Sequence, residues 1–515
     1  MNSFRYTLSL VLAVFVALSC QGRSEEGAEA NEGTSNVRSL TISPDRTTVL
    51  RNPLNGWVMY LRRNWDENFW NTSGYDSVQT SDGTEVKVSD FANTAYVRTS
   101  WRAFEPTEGN YAWQDPDSRL NRLFRSILDR GMKLSFRIVV DGRDQGQNTP
   151  DYVFDAGAEY FTSKVGSRIV RSPYPDDPVF QEKYSRFIEA LAREYNDIDK
   201  VDFIDAYGLG KWGEGHSLIY KDPAKNSEVM QWISSLYART FTEVPLVINY
   251  HRLLGEPSKD GWGAPSEVSA ALLEKAISNG YSLRHDAFGM NGYYQQWEKD
   301  FATRWNYRRP IIFEGGWITA AHHRYWNDPS GAYREGHSED VRRGEYKAAE
   351  EAHVNMMDLR AGDEIRSWFG QCFDLVRRFV AEGGYRLYPE WVKAPSRASG
   401  KMEVSYSWRN LGWGYCPTNI PQWNGRYTVG VALLSDDGHV EKVCASDETE
   451  LSQWLKGKSY VYRQQIDLDG VAPGIYTLAI ALVDRRCAME PGLDVAVDPS
   501  LKIGKWVSVK RISVK

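Results

Sequence analysis

The chain alternates short apolar runs with longer amphipathic segments from about residue 52 to residue 390. The apolar runs have the length of strands, and the amphipathic segments repeat apolar residues at helical spacing, which is typical of consecutive βα units. The expected strands are Gly56–Leu61, Thr94–Ser100, Lys133–Val140, Val201–Gly208, Pro245–Tyr250, Ser282–Met290, Arg309–Phe313 and Val354–Leu359. Eight such units predict an α/β fold, a (β/α)8 TIM barrel. An open doubly wound sheet is the alternative, but no Gly-rich phosphate loop follows the first strand.

Helix patterns fill the segments between these strands. Asp177 is a candidate N-cap for a helix that runs to Tyr195, and Gly131 and Gly280 are candidate stops. The other expected helices are Asp117–Arg130, Ser227–Thr240, Ser266–Asn279, Glu345–His353 and Glu364–Glu382.

The pattern changes after Pro395, where strands follow one another with turns and no helix between them. These strands are Met402–Trp408, Tyr427–Leu434, Tyr460–Ile466, Gly474–Val483 and Trp506–Ile512. They predict an antiparallel β-sandwich of immunoglobulin-like size. We therefore expect a barrel over residues 38–395 and a sandwich over residues 396–515. The short connection between them predicts a shared apolar interface, with Trp408, Trp413 and Trp423 used for packing rather than for glycan binding.

The first residues have the pattern of an export signal. Leu8–Leu18 is apolar but too short to span a bilayer, and the segment that ends at Cys20 resembles a bacterial lipobox, in which the cysteine is lipidated. We expect a signal peptide over residues 1–19 and an acidic, flexible tether over residues 20–37. The acidic tether resembles the surface-export signal of Bacteroidota lipoproteins. The expected location is therefore the outer membrane, at the cell surface or in the periplasm, and a plain signal peptide is the alternative.

The composition limits the partners. The formal net charge is −6 with mixed signs along the chain, which does not favour nucleic acid or an anionic membrane surface as a partner. The chain has 19 Trp and 29 Tyr, and aromatic rings serve either in large cores or in stacking on sugar rings. We expect a monomer without a cofactor or metal, attached to the membrane only through Cys20. Besides Cys20 there are Cys372 and three cysteines in the C-terminal region, which allow at most one disulfide there.

Two glutamates directly follow apolar strands of the predicted barrel. Glu214 follows the fourth strand within Lys211–His216, and Glu314 follows the seventh strand before Gly315-Gly316-Trp317. Catalytic groups of such barrels lie at the carboxyl ends of the strands. Glycosidic cleavage needs one protonated carboxyl and one ionised carboxylate. The pair therefore predicts glycoside hydrolysis, and salt bridges at the barrel rim are the alternative use.

These positions resemble the acid/base and the nucleophile of clan A retaining glycosidases. The segment Arg98–Trp113 is similar to the second-strand stretch of clan A β-galactosidases, where an Arg and a Trp precede a Glu-Pro…Glu-Gly-x-Tyr-x-Trp run. The resemblance implies that Glu214 is the acid/base, that Glu314 is the nucleophile and that the substrate is a β-linked oligo- or polysaccharide. This chain departs from clan A at Gly213, where an Asn that contacts the sugar 2-hydroxyl is usual.

A second resemblance covers most of the chain. Asn52–Trp57, the Lys211–His216 segment and the closing sandwich are together similar to Bacteroidota lipoproteins that combine a barrel with a β-sandwich. It supports the architecture and does not identify the sugar.

Polar and aromatic residues after the other strands are candidates for substrate contact. In clan A a tyrosine after the sixth strand often donates to the nucleophile, which implies this role for Tyr293. The full set of candidate substrate-binding residues is Arg98, Trp101, Asp141, Trp212, His216, Asn249, His251, Asn291, Tyr293 and Trp317.

Two other functions remain open. A non-catalytic surface lipoprotein could bind glycan in the same cleft, and a lyase or transglycosylase could use the same scaffold. The separation of the two carboxyls discriminates, because about 5–5.5 Å implies retention, about 6.5–9.5 Å implies inversion, and a larger distance favours binding alone.

Overall fold

A computed structural model describes residues 37–515, apart from residues 62–64, 144, 258–262, 289, 291, 320–330 and 332. Eight parallel strands close into a barrel, in chain order around it, which confirms the predicted fold class. The barrel strands are Gly56–Leu61, Ala92–Ser100, Lys133–Val139, Val201–Asp205, Leu246–Asn249, Ser282–His285, Ile311–Phe313 and Met356–Asp358. All eight predicted strands are present. Most end earlier than predicted, because the chain turns into the loops of the carboxyl end.

The expected helices surround the barrel. Asp177 caps the long helix Pro178–Tyr195 by accepting the Phe180 N–H at 2.8 Å. The other helices are Phe69–Thr72, Trp101–Phe104, Arg119–Leu128, Asp151–Asp155, Asn226–Thr240, Glu267–Ser278, Gln296–Trp305, Ser338–Glu351 and Asp363–Glu382. A hairpin of Tyr160–Val165 and Arg168–Pro173, which the helical pattern did not indicate, lies in the loop after the third barrel strand.

Two β-sheets form the predicted sandwich. The first contains Val37–Thr41, Leu387–Pro395, Lys401–Asn410 and Ser459–Asp467. The second contains Arg397–Ala398, Tyr427–Leu434, Val440–Ala445, Gly474–Asp484 and Trp506–Val514, with the short strands Pro491–Leu493 and Lys502–Ile503. The predicted domain boundary at 395/396 was wrong, because Leu387–Pro395 pairs with both Val37–Thr41 and Lys401–Asn410. The sandwich thus includes strands from both ends of the predicted barrel region.

Tryptophans of the sandwich pack as predicted. Trp413 joins the apolar core of the barrel, and its indole N–H donates to the Val354 carbonyl at 2.9 Å. Trp423 is buried and donates to the Glu243 carbonyl, and Trp408 stacks on Trp454 inside the sandwich. The sandwich is thereby attached to the barrel by apolar contacts as well as by hydrogen bonds.

Cys372, Cys416, Cys444 and Cys487 are free thiols. Within the described ranges, none of the helices has the length and apolar character that crossing a bilayer requires. Cys20 and the expected signal peptide lie outside the described residues.

Candidate active site

A tight turn carries Glu214 to the centre of the carboxyl end of the barrel. Trp212, Gly213 and Gly215 have φ values of 59°, 75° and 79°, and the Gly215 N–H donates to the Leu209 carbonyl at 3.0 Å. A side chain at Gly215 would lie 2.4 Å from Leu254 Cδ1, so this position requires glycine. The glycines of the motif therefore shape the turn that presents Glu214.

The Glu214 carboxylate lies between two arginines and a histidine. Arg98 Nη1 and Arg137 Nη1 are 3.4 and 3.2 Å from its Oε1, and His216 Nε2 is 3.4 Å from its Oε2. The Glu214 side chain is 11% exposed. One oxygen thus faces cations while the other faces an imidazole at the edge of the cleft.

Glu314 is held more tightly. Its Oε2 accepts a hydrogen bond from Arg284, its Oε1 accepts one from Arg360, and Arg137 Nη2 is 3.9 Å away. The side chain is 0% exposed, so solvent does not reach it in this structure. Two guanidinium groups thus cover the carboxylate that the sequence indicates as the nucleophile.

Asp286, which directly follows the sixth barrel strand, is a third carboxylate at the same place. One carboxylate oxygen from each of Glu214, Asp286 and Glu314 lies within 4.8 Å of the other two. Burial favours a raised pKa for Asp286, but Arg137, Arg284 and Arg360 outweigh it and hold this pKa well below its ordinary value. These arginines supply the positive charge that three adjacent carboxylates require.

Arg137 connects this cluster to the barrel interior. It is fully buried, and its guanidinium lies 2.7 Å from Asp205 and 3.4 Å from Asp286. Asp205 also accepts the Tyr96 hydroxyl at 2.8 Å. Asp358 is equally buried, 4.0 Å from Arg284, and burial raises its pKa to about 6. The upper layer of the barrel is therefore a charged network instead of the usual apolar packing.

The departure from clan A at Gly213 has a structural reason. A Cβ at position 213 would lie 3.2 Å from Arg137 Cδ, so a larger side chain would displace this arginine. Arg137 reaches Glu214 from that side. In this chain, an arginine from the third barrel strand occupies the surroundings of the acid/base candidate.

Two of the predicted polar residues fix the backbone of Glu214. Asn249 Nδ2 and His251 Nε2 are 3.2 and 3.0 Å from the Glu214 carbonyl oxygen. His251 Nδ1 accepts the Leu253 N–H, so its proton is on Nε2. Burial lowers the pKa of His251 to about 3, with the nearby His216 as a smaller cause. His251 is thus a neutral donor that positions Glu214.

Aromatic rings form one wall of the site. The Arg360 guanidinium lies 4.7 Å from the Tyr60 ring and 4.5 Å from the Trp317 ring, and Trp317 is half-buried. Trp212, also half-buried, lies beside His216 with ring centroids 5.7 Å apart. These rings place apolar surface close to the groups that contact the carboxylates, which suits a sugar ring.

Buried carboxylates fix the segment after Glu314. Glu345 accepts the Gly316 N–H at 2.9 Å, and Glu364 accepts the N–H groups of Ile318 and Thr319 at 3.0 and 3.1 Å. Arg342 joins both glutamates, and all three side chains are fully buried. The loop that carries Trp317 is thereby attached to the two helices that follow it.

Three predicted site residues have other contacts. Trp101 is fully buried against Tyr184 and Phe187 in the helix layer, and its role in substrate binding stays a prediction. Asp141 is buried and pairs with Arg143. Tyr293 packs with Met290, Ile318 and Val341, and its role remains a prediction. Asn291 lies outside the described residues.

Sequence reasoning did not identify most of the charged network. Its missed members are Arg137, Asp205, Arg284, Asp286, Asp358 and Arg360. The signal was available, because charged residues interrupt or end apolar strands there, and burying them is costly without partners. The pattern does not show which acid meets which base.

Comparisons with known proteins give the following results. No family model matches, and no curated protein matches. Among solved structures, the endo-β-1,4-mannanase from Thermotoga petrophila is 11% identical, with 90% of this chain and 98% of that chain covered at a TM-score of 0.37. The endo-1,4-β-mannanase from Rhizomucor miehei is 10% identical. The match covers 62% of this chain and 89% of that chain, also at a TM-score of 0.37. The exo-β-1,4-mannosidase Op5Man5 from Opitutaceae bacterium strain TAV5 is 14% identical. The match covers 66% of this chain and 62% of that chain at a TM-score of 0.37. The function is therefore argued from the site alone.

Proposed function

We propose that this protein is a glycoside hydrolase that cleaves a β-linked glycan with retention of configuration. The observation that carries the proposal is the pair Glu214 and Glu314 at the carboxyl ends of the fourth and seventh barrel strands. Their nearest oxygens lie within 4.8 Å. This upper limit lies below the separation of about 6.5–9.5 Å that leaves room for the water of an inverting reaction, and it therefore favours retention.

In the proposed reaction Glu314 attacks the anomeric carbon while Glu214 gives its proton to the leaving glycosidic oxygen. A glycosyl ester on Glu314 results, and Glu214 then removes a proton from the water that hydrolyses this ester. Glu314 must be ionised for the attack, and its contacts with Arg284 and Arg360 favour the charged form. Because Arg360 covers Glu314, the substrate has to displace this guanidinium from between Tyr60 and Trp317.

A non-catalytic glycan-binding protein is the second candidate function. The complete burial of Glu314 favours it, because a carboxylate that solvent does not reach is a structural ion-pair partner unless Arg360 moves. The aromatic wall and the exposed edges of Glu214 and Asp286 would serve binding equally well.

The test is a screen of the purified protein against a polysaccharide panel, with chromatography of the products. We expect new reducing ends, and NMR of the first-formed product should show the β anomer. Glu314→Gln should remove nearly all turnover while leaving the fold intact, although loss of the charge that pairs with Arg284 and Arg360 should lower the thermal unfolding temperature. Binding without products would contradict the enzymatic function. A Glu314→Gln variant that retains more than a few per cent of the wild-type rate would contradict the assignment of Glu314 as the nucleophile.

We also propose that Cys20 is lipidated and attaches the protein to the outer membrane. The support is the sequence alone, from the apolar Leu8–Leu18 segment to the acidic tether. Cells that express the wild type should incorporate labelled palmitate into the protein, and Cys20→Ser should abolish the incorporation. Labelling that persists in Cys20→Ser would contradict this proposal.

A further inference from the structure

Asp286 is the most exposed of the three carboxylates at the site. Its side chain is 16% exposed, compared with 11% for Glu214 and 0% for Glu314. It directly follows the sixth barrel strand, in the loop that also carries Tyr293. A catalytic pair does not need this third acid.

The orientation of Asp286 is fixed from two sides. Its Oδ2 accepts the Asn249 amide at 2.8 Å, and its backbone N–H donates back to Asn249 Oδ1 at 3.3 Å. Its Oδ1 accepts hydrogen bonds from Arg284 at 2.5 Å and from Arg137 at 3.4 Å. These contacts still leave 16% of the side chain exposed, after the carboxyl end of the sixth strand.

We propose that Asp286 accepts a hydrogen bond from a hydroxyl of the sugar ring whose glycosidic bond is cleaved. It thereby selects a neutral, hydroxylated ring over a uronic acid. This inference rests on the proposed function, because it places the ring between Glu214 and Glu314. It adds a substrate-contacting residue and a substrate class to that proposal.

Proximity supports the contact. A ring whose anomeric carbon lies between Glu214 and Glu314 is necessarily close to Asp286, because the three carboxylates lie within 4.8 Å of one another. An ionised carboxylate is an acceptor only, so it suits a hydroxyl donor and not another anion. The neighbouring Arg137, Arg284 and Arg360 keep Asp286 in this charged form against the effect of burial.

Charge supports the selectivity. A carboxylate on the sugar ring would meet Glu214, Asp286 and Glu314 together. Arg137 and Arg284 are at most 1% exposed and already pair with acids of the network. The more exposed Arg98 and Arg360 are likewise already paired, with Glu214 and Glu314. A neutral ring avoids this repulsion.

The experiment compares Asp286→Asn with the wild type on p-nitrophenyl β-glycosides. The panel contains the glucoside, galactoside, mannoside and glucuronide. A lost hydrogen bond to a charged group should reduce kcat/KM on the preferred neutral glycoside by about 10- to 100-fold. The ratio of neutral to uronide activity should fall at least as much, because the substitution also removes the repulsion of the uronide.

Asp358→Asn is the matched control. Asp358 belongs to the same arginine network, 4.0 Å from Arg284, but its side chain is only 1% exposed. We expect this variant to leave the neutral-to-uronide ratio unchanged, whatever it does to stability. The proposed contact would be overturned if the neutral-to-uronide ratio were the same in the wild type and both variants. It would also be overturned if Asp286→Asn lost the same fraction of kcat/KM on every substrate.

A second measurement needs no variant. Monodeoxy analogues of the preferred glycoside are assayed with the wild type, and one position should show a loss like that of Asp286→Asn. If the analogues all react at similar rates, Asp286 contacts no hydroxyl. Trapping with a 2-deoxy-2-fluoro glycoside followed by peptide mapping should label Glu314, and a label on Asp286 would make Asp286 the nucleophile and overturn our assignment.

Failure of the proposed function is distinguishable from failure of this inference. If the wild type neither hydrolyses nor is labelled, the enzyme proposal fails. Calorimetric titration with a neutral oligosaccharide then still tests the contact, because weaker binding by Asp286→Asn than by Asp358→Asn supports it, and equal binding overturns it.

Discussion

Arg137 shows at the scale of single residues how the site depends on compensated charge. It lies fully buried within reach of Asp205, Glu214 and Asp286. Removing one partner of a buried ion pair typically costs about 3–5 kcal/mol, because the other charge is left without compensation. Lysine would not replace it, since only a planar guanidinium can serve several carboxylates in different directions.

Glu214→Gln tests the acid/base at the same scale. General acid catalysis contributes about 10²- to 10⁴-fold, and it matters most where the leaving group is poor. We therefore expect a loss of this size on natural glycans and a much smaller loss on dinitrophenyl glycosides, measured as kcat/KM. Glu159→Gln, at an exposed surface position that pairs with Lys221, is the control and should be unaffected. Equal losses on both substrate types would count against this role of Glu214.

His251 predicts how stability depends on pH. Its pKa is about 3 in the folded protein, against about 6.5 in an unfolded chain, because burial disfavours the charged ring. Between these pH values the unfolded state therefore binds more protons than the folded state. The contribution of this histidine to folding stability is complete above pH 6.5 and is lost as the pH falls towards 3. Each pH unit in this window costs about 1.4 kcal/mol. The free energy of unfolding, measured with denaturant, should fall less between pH 7 and pH 5 in His251→Gln than in the wild type. Equal pH dependence of the two proteins would contradict this account.

At the scale of elements, the start of the loop after the seventh barrel strand is held by side chains from the two helices that follow this loop. The Gly316–Thr319 segment donates hydrogen bonds to the carboxylates of Glu345 and Glu364, on the two helices that come next in the chain. Because the segment carries Trp317, these glutamates are positioning residues for the aromatic wall. They do not contact the reacting carboxylates.

Glu364→Gln should loosen this segment. Glutamine removes the charge that pairs with buried Arg342 and weakens the bonds to Ile318 and Thr319, at a cost of about 3–5 kcal/mol in the free energy of unfolding. We expect KM for oligosaccharides to rise more than kcat falls, as the predicted contact of Trp317 with the substrate requires. Glu350→Gln, on the helix Ser338–Glu351 but more exposed, is the control. A change in kcat alone would argue that Glu364 acts on the chemistry instead.

The whole molecule depends on the contact between barrel and sandwich. Trp413 belongs to the barrel core, and the first strand of the described chain, Val37–Thr41, belongs to a sheet of the sandwich. Deleting residues 401–515 would expose apolar surface on the barrel and leave Leu387–Pro395 without its partner Lys401–Asn410.

We therefore expect this truncation to aggregate or to unfold at a much lower temperature, as measured by size-exclusion chromatography and thermal melting. Removal of residues 1–36 is the matched control and should leave both properties unchanged. A soluble and fully active barrel after the C-terminal deletion would refute the shared core and indicate an independent binding module.

The sequence by itself determined the periodic part of this protein. Alternating strand and helix patterns identified all eight barrel strands, and the position of Glu214 and Glu314 directly after two of them identified the end of the barrel where they meet. These inferences succeed because the burial of a strand and the period of a helix are local properties of the chain.

Only the tertiary structure decided which side chains meet. Trp101 and Trp317 both follow barrel strands in the sequence. Trp101 nevertheless packs in the helix layer, whereas Trp317 lines the site. Asp286 emerged as a third carboxylate only when the sixth strand was placed beside the seventh in the closed barrel. From its position in the sequence, the strand Leu387–Pro395 was expected to belong to the barrel domain. In the structure it pairs with strands of the sandwich. The physical reason is that ion pairing and packing are decided by groups far apart in the chain, which local pattern does not encode.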